Sequence, residues 1–352
     1  MKIIGWDVGG VNIKAALVEI ENEKIESFKI QSKFYPMWLK EREKLPEILS
    51  EIYSTMILAK PDLIAITMTA ELSDAFYTKR EGINHILNSF KKVFPEKNCH
   101  VLTVNGNFIS ISKAIHAPLL VAASNWVATC YLVGHYVPNC ILIDIGSTTT
   151  DIIPIIKGKI ATESKTDLDR LIAGELAYTG SLRATIPSIV RTVEIKGKPC
   201  RISFEKFALV ADAHLILGNI TRDEYKCDTA DGRDNDLENS YARLARVVCA
   251  DIEMFSKEEI ENIAEEIYEK QLEQIKDGLI QVTQKYKITP DMDFPVVVTG
   301  LGKDFLARKA AEDLSYKKII DFDSLIGGEG ALVAPSISIA KMLYDSLNKN
   351  QK

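Results

Sequence analysis

ILIDIGSTTTDIIPI, residues 141–155, breaks an apolar run with Asp144, turns at Gly146, crosses four hydroxyl residues from Ser147 to Thr150, and becomes apolar again after Asp151. β-Branched residues on both sides of a Gly-containing turn read as two strands joined by a hairpin. The N-terminal stretch IIGWDVGGVNIKAALVEI, residues 3–20, has the same order of features. Laid over one another without a gap, Asp7 matches Asp144, Gly9 matches Gly146, Gly10 falls on Ser147 and Lys14 on Asp151. A third short run follows each copy, KIESFKIQ at 24–31 and KIATES at 159–164. Repeat arrays have periods of ~20–50 residues, so a duplication at this much longer spacing points to two related lobes, each opening with a β-meander.

The chain of 352 residues exceeds the ~250–300 at which single cores stop growing, which fits two lobes. After the first meander the pattern predicts a helix over 40–53, a strand over 63–71, a helix over 79–94, a strand over 99–105 and a helix over 118–133. GHYVPN, 134–139, is the expected boundary. In the second lobe, VVVTGLGKDFLARKAAEDL (296–314) predicts strand, turn and helix, KKIIDF (317–322) a last strand, and 329–346 a closing helix. The intervening part, about 165–290, is a mostly helical insertion. Within 256–287, Ile260, Ile263, Ile267, Ile275 and Leu279 recur at helical spacing, and Ser256 with Glu259 forms a capping box. The expected division is 1–135, 136–326 and a helix over 327–352 packing back on the first lobe.

Apolar residues make up 46% and charged residues 26%, and mean hydropathy is zero, as in a globular protein free in solution. No apolar run reaches the ~20 residues of a membrane span, and no signal-like segment precedes the first acidic residue, so a cytoplasmic location without membrane contact is expected. The six cysteines contain no CxxC pair, and none of the five histidines has metal-ligand spacing. Net charge −6 without a basic cluster argues against nucleic acid. A homo-oligomer is allowed and not required.

A tight strand–Gly–strand turn points several backbone N–H groups at one spot, and such nests bind phosphate oxygens. Ser147, Thr148 and Thr149 add hydroxyl donors to Gly9, Gly10 and Gly146, and Lys14 complements phosphate charge. Two such hairpins facing one another would grip both ends of a diphosphate or triphosphate. The strand-end carboxylates Asp7 and Asp144 would hold Mg²⁺, directly or through water, because this ion takes oxygen ligands and keeps several waters. Asp151 either faces that metal or ends the turn. The GLG at Gly300–Gly302 lacks the third glycine of a dinucleotide fingerprint, so it is equally a ligand contact or a plain strand-to-helix turn.

DVGGVNIK, DIGSTTTD and VVVTGLGKDF, in this order, resemble the two phosphate motifs and the adenosine motif of the acetate and sugar kinase, heat-shock chaperone and actin superfamily. That resemblance implies an α/β fold of two ribonuclease-H-like lobes around a central cleft, the actin-like ATPase fold. TMTAELSDAFYTKREGI (67–83), APLLVAASNW (117–126), GELAYTGSLRATIP (174–187) and CDTADGRDNDLENSYARLARVVCAD (227–251) are similar to a hydantoinase- and oxoprolinase-related branch, and within it to archaeal transferases of methanofuran biosynthesis. The implied reaction joins an aminomethylfuran-methyl diphosphate to the phenol oxygen of γ-glutamyltyramine and releases pyrophosphate. An ATP-dependent phosphotransferase or ATP-hydrolysing hydantoinase-like enzyme, and a nucleotide-binding regulator, are the competing readings.

A phenol with a reference pKa near ~10 needs a base at neutral pH. Glu71, just past a strand end, is the candidate, and equally it caps the following helix or pairs with Lys79 or Arg80. Lys14, Glu71 and Asp144 are thus the expected catalytic groups. Tyr178, Thr179 and Arg183 suit a substrate-shaping loop, Arg183 meeting a carboxylate or forming a structural salt bridge. Asp231 and Arg233, in TADGRD, contact ligand only if that polar loop folds inward.

Overall fold

Along the first strand, Ile4, Trp6 and Val8 alternate with Ile3, Gly5 and Asp7, so each set lines one face of a sheet. A computed structural model describes residues 1–38, 42–56 and 61–349 and divides the chain into two units. Unit 1 comprises Met1–Cys140, Pro154–Arg170 and Phe322–Lys352, and unit 2 comprises Ile141–Ile153 and Leu171–Asp321.

Unit 1 is built on a sheet of β1 (Lys2–Val8), β2 (Asn12–Glu21), β3 (Lys24–Phe34), β4 (Leu63–Met68), β5 (Cys99–Leu102) and β6 (Phe108–Ile109), in the order β3-β2-β1-β4-β5-β6. The opening meander is antiparallel, whereas β1, β4 and β5 run parallel. On one face, Ile4, Trp6 and Val8 share a core with Leu45, Leu49 and Ile52 of α1 (Leu45–Met56) and with Ile83, Ile86 and Phe90 of α2 (Lys79–Val93). Residues 40 and 41 of the helix expected over 40–53 lie outside the described residues. Next come α3 (Ile111–His116) and α4 (Asn125–Tyr136). The helix expected over 118–133 therefore begins only at 125. Ala123 holds a left-handed φ of 46°, and the Ser124 hydroxyl bonds Thr67 Oγ1 and the Leu102 carbonyl, so side-chain bonding breaks the helix there.

β7 (Cys140–Ile145) and β8 (Thr150–Ile156) carry the quoted hairpin, and β9 (Lys159–Ile160) pairs with β8. The third run expected over 159–164 is thus two residues long. Thr162 Oγ1 accepts the Ser164 N–H, a local bond that competes with a strand ladder. The chain continues through α5 (Asp167–Ala173), β10 (Leu176–Ala177), α6 (Ile186–Ile189), the hairpin β11 (Thr192–Ile195) and β12 (Lys198–Arg201), α7 (Val210–Ile216), α8 (Leu237–Arg246) and α9 (Lys257–Tyr286). It ends with β13 (Val296–Thr299), α10 (Lys309–Asp313), β14 (Ile319–Asp321), α11 (Phe322–Ile326) and α12 (Ala334–Lys349). The second sheet has the order β10-β8-β7-β13-β14, with β7, β13 and β14 parallel. Both sheets therefore show the same ribonuclease-H-like plan of an antiparallel meander leading into parallel strands.

The 30-residue α9 serves two cores of unit 2. Ile260, Ile263 and Ile267 pack in the helical insertion with Leu244 and Val210, whereas Leu272, Ile275 and Leu279 pack on Ile143 and Val298 of the sheet. The helix starts at a complete capping box: Ser256 Oγ accepts the Glu259 N–H and Glu259 accepts the Ser256 N–H. In unit 1, α12 packs on β1, β2, β4 and α4. Gly5 permits this approach, because a Cβ there would lie 1.9 Å from the Ser336 carbonyl oxygen.

Candidate functional site

In unit 2, Asp144 is the penultimate residue of β7, paired in register with Thr299 of the parallel β13. The turn that follows closes with Gly146 N–H donating to the Thr149 carbonyl at 3.0 Å. Two further segments meet this turn. The N–H groups of Ser181, Leu182 and Arg183 donate to the Gly146 and Ser147 carbonyls at 2.9–3.0 Å, and Arg183 Nη1 reaches Thr148 Oγ1 at 3.4 Å. Gly302 N–H donates to the Ile145 carbonyl, and a Cβ on Gly300 would lie 2.3 Å from that same oxygen and 2.7 Å from Asp144 Oδ1. Gly300 also has φ +87°, so glycine is required there twice over. Asp144, Gly146, Ser147, Thr148, Thr149, Thr179, Arg183, Gly300 and Gly302 thus come together in one place. After Gly302 the helix opens with a π-helical turn, Lys303–Arg308, before continuing as α10.

The unit 1 copy has the same local geometry. Asp7 is penultimate in β1, beside Thr67 of the parallel β4, and Gly9 N–H donates to the Asn12 carbonyl at 3.0 Å. Lys14 pairs in register with Asp7 across the antiparallel β1–β2 ladder, which sets both side chains on one face. Gly10 lies against the short turn Ala70–Leu72, since its Cβ would touch Ser73 Cβ at 3.5 Å. That turn, where a strand is expected to run on to 71, carries Glu71. Gly82 of α2 makes room for it, as a Cβ there would lie 2.6 Å from Glu71 Cα.

The Glu71 side chain is 1% exposed, and neither carboxylate oxygen makes a hydrogen bond among the described residues. The backbone N–H groups of Glu71 and Ala123 favour its charged form without reaching hydrogen-bond geometry. Burial dominates and pushes its pKa up to about 7; Lys79 opposes the rise and Asp167 adds to it. Lys79 pairs with Asp167 at 3.1 Å, so the expected alternative of a direct Glu71–Lys79 pair gives way to a longer-range effect.

The remaining candidates divide. Asp151 is buried on β8, in register with Leu176. Tyr178 is half exposed, whereas Thr179 and Ser181 are buried with hydroxyls that have no hydrogen-bond partner among the described residues. Asp231 accepts from Arg243 Nη1 at 3.1 Å and Arg246 Nη1 at 3.0 Å, which engages it as a structural counter-ion, and Arg233 is exposed beside it. Arg243 in turn is buried against Asp212, whose carboxylate also accepts from Tyr225, Ser240 and the Leu209 N–H. Nothing in residue spacing signals that network, because Arg243 and the Asp212 it bonds lie 31 residues apart. Also beyond sequence reading is Gly180, whose Cβ would come within 2.5 Å of the Thr148 backbone. Among the described residues no group of three or more His, Cys, Asp or Glu stands ready to hold a metal ion.

The family model for Hydantoinase/oxoprolinase matches residues 62–346. The chain belongs to the hydantoinase/oxoprolinase family. Over 99% of its length, and 99% of the relative's, this family member is 39% identical to a curated (4-{4-[2-(γ-L-glutamylamino)ethyl]phenoxymethyl}furan-2-yl)methanamine synthase of Methanocaldococcus jannaschii. A synthase of the same name from Methanococcus vannielii is 39% identical over 60% of this chain and 93% of its own length. Among solved structures, nucleotide-free acetone carboxylase superposes with TM-score 0.57 at 12% identity, covering 97% of this chain and 70% of that one. That likeness and the two strand orders give this hydantoinase/oxoprolinase family member the actin-like ATPase fold.

Proposed function

We propose that the chain is a transferase that forms an aryl ether in methanofuran biosynthesis. The product in the relatives' name joins a phenol oxygen to a furanylmethyl carbon, and full-length likeness supports carrying that chemistry over. The new bond links the γ-glutamyltyramine phenol oxygen to the methylene carbon of an aminomethylfuran-methyl diphosphate. The bond from that carbon to the diphosphate breaks, the phenol proton passes to a base, and pyrophosphate leaves.

The observation that carries the reading is the Gly146–Thr149 turn, whose neighbours Gly180 and Gly300 leave no room for side chains and whose rim is hydroxyl-rich. Charge develops on the departing diphosphate, and prepositioned donors act on it directly; loss of one typically costs ~3 kcal/mol of barrier. Gly146, Ser147, Thr148 and Thr149 take this role in unit 2, with Gly300 and Gly302 shaping the turn. In unit 1, Gly9, Gly10 and Lys14 form the same local arrangement of a glycine turn beside a cation. Glu71 fits the base, since a group with pKa about 7 is substantially ionised at neutral pH. Arg183, Tyr178 and Thr179 lie where they can shape the acceptor site beside the turn.

The donor chemistry suits a hydrated Mg²⁺ at the strand-end carboxylate Asp144, directly or through water, with Asp151 either facing that metal or ending the turn; Asp7 is the equivalent strand-end carboxylate of unit 1. When bound, the ion would neutralise phosphate charge. No helix among the described residues is long and apolar enough to cross a membrane.

One incubation with Mg²⁺ tests the proposal. Pyrophosphate formed only when furanylmethyl diphosphate and phenol acceptor are both present is the expected result. ADP released from ATP in the absence of those substrates, without ether formation, would replace it with a phosphotransferase.

A further inference from the structure

α9 carries an apolar stripe from one core of unit 2 to the other, and at the changeover stands Gln271, fully buried. An amide so placed costs free energy unless its polar atoms are bonded. Both are. Gln271 Nε2 donates to the Gly180 carbonyl at 2.9 Å, and Gln271 Oε1 faces His214 Nε2 at 2.9 Å. A carbonyl oxygen can only accept, so the Gly180 contact fixes which way the amide points. Oε1 must then accept, and His214 must carry its proton on Nε2. His214 Nδ1 is left as an acceptor for Asn219 Nδ2 at 3.3 Å. One backbone carbonyl thus sets every proton along Asn219, His214, Gln271 and Gly180.

We infer that Gln271 and His214 are positioning residues that clamp the Gly180 segment onto the Gly146–Thr149 turn and so hold the donors that meet the diphosphate; this rests on the function proposed above. Gly180 is tied on one side to Gln271 and touches Thr148 on the other, where a Cβ would fall 2.5 Å from backbone atoms. The three N–H groups that follow it bond the turn's carbonyls. Loosening Gly180 therefore loosens the turn. The imidazole is itself confined by Phe305 and Tyr268, with ring centroids 4.7 and 6.0 Å away. Burial pushes its pKa down to about 4, so the neutral form that the relay requires persists at neutral pH.

Gln271→Met keeps length and volume and removes both hydrogen bonds. The purified full-length protein is compared with this variant and with Thr148→Ala by hydrogen exchange at Ser181, Leu182 and Arg183 and by titration with inorganic pyrophosphate and Mg²⁺. In Gln271→Met the three amides should exchange at least about fivefold faster than in the parent protein, as expected for a segment freed to open locally. Its pyrophosphate affinity should fall about tenfold, or ~1.4 kcal/mol, as it does in Thr148→Ala. A ¹⁵N spectrum should show His214 protonated at Nε2. A folded Gln271→Met with parental exchange and parental pyrophosphate affinity overturns the inference, and so does a His214 protonated at Nδ1. If the parent protein fails to bind pyrophosphate, the proposed function falls, while exchange rates and tautomer still decide whether the clamp exists. Should Gln271→Met not fold, the shorter Gln271→Leu also lacks the donor to Gly180 and the acceptor for His214, and is expected to raise exchange in the same three amides.

Discussion

Replacing Glu71 by glutamine should make the protein more stable at alkaline pH and nearly inactive at the same time. The carboxyl has a pKa of about 7 in the folded chain against an ordinary 4.5, chiefly because it is buried. At about 1.4 kcal/mol per pKa unit, that gap amounts to ~3 kcal/mol held against the folded state whenever Glu71 is ionised. The sign follows from proton counting. Between pH 4.5 and about 7 the folded chain keeps a proton that the unfolded chain has lost, so stability is full below pH 4.5, declines as pH rises through about 7, and is flat above. Glutamine is neutral throughout and removes that decline. Urea unfolding at pH 4.5 and pH 8.5 should give little difference between Glu71→Gln and the parent protein at the lower pH. At the higher pH the variant should gain ~3 kcal/mol. Turnover should fall by ~10²–10⁴, and the acid limb of the pH–rate profile, centred near pH 7, should vanish. Equal stability of the two proteins at pH 8.5, or an acid limb retained in the variant, would refute the reasoning.

Three further outcomes are expected. Asp144→Ala should lower turnover by ~10²-fold or more while the thermal midpoint stays close to the parent's, because a half-buried strand-end carboxylate contributes little to the core. Gly300→Ala should cost ~1–2 kcal/mol from its left-handed backbone alone, with more from collision at the Ile145 carbonyl, read by chemical denaturation together with lost pyrophosphate binding. Asp212→Ala should destabilise by ~3–5 kcal/mol in the same denaturation experiment, since it takes the buried carboxylate from the fully buried Arg243 guanidinium and leaves it to the more exposed Asp231.

The duplicated Asp-x-Gly hairpin was legible because both copies must satisfy the same two demands, a carboxylate at a strand end and a glycine where the turn closes. Period changes also located α2 and α9, whose apolar residues face a core on one side, and the short apolar runs of β4 and β13, which are buried on both faces. Other features depend on long-range contacts that no local pattern encodes. The break before α4 arises from Ser124 bonding Thr67, 57 residues away, and Gln271 finds Gly180 across 91 residues. Asp231 and Arg233 read as a polar loop, and only the fold reveals that Asp231 neutralises Arg243 and Arg246. Glu71 could be singled out by its place after a strand, but its proton affinity comes from burial beneath α2, which sequence does not display.

Unit 1 gathers its parts from three stretches of chain, and α12, whose Ile337 and Ile339 are fully buried, is made only after all of unit 2. On the ribosome the β1–β4 sheet must therefore wait, one apolar side uncovered, until the Leu171–Asp321 part of unit 2, which includes α9, has been translated. Nascent chains stalled just before residue 334 should consequently be held by chaperones that grip exposed sheet surface, and release should coincide with emergence of the closing helix.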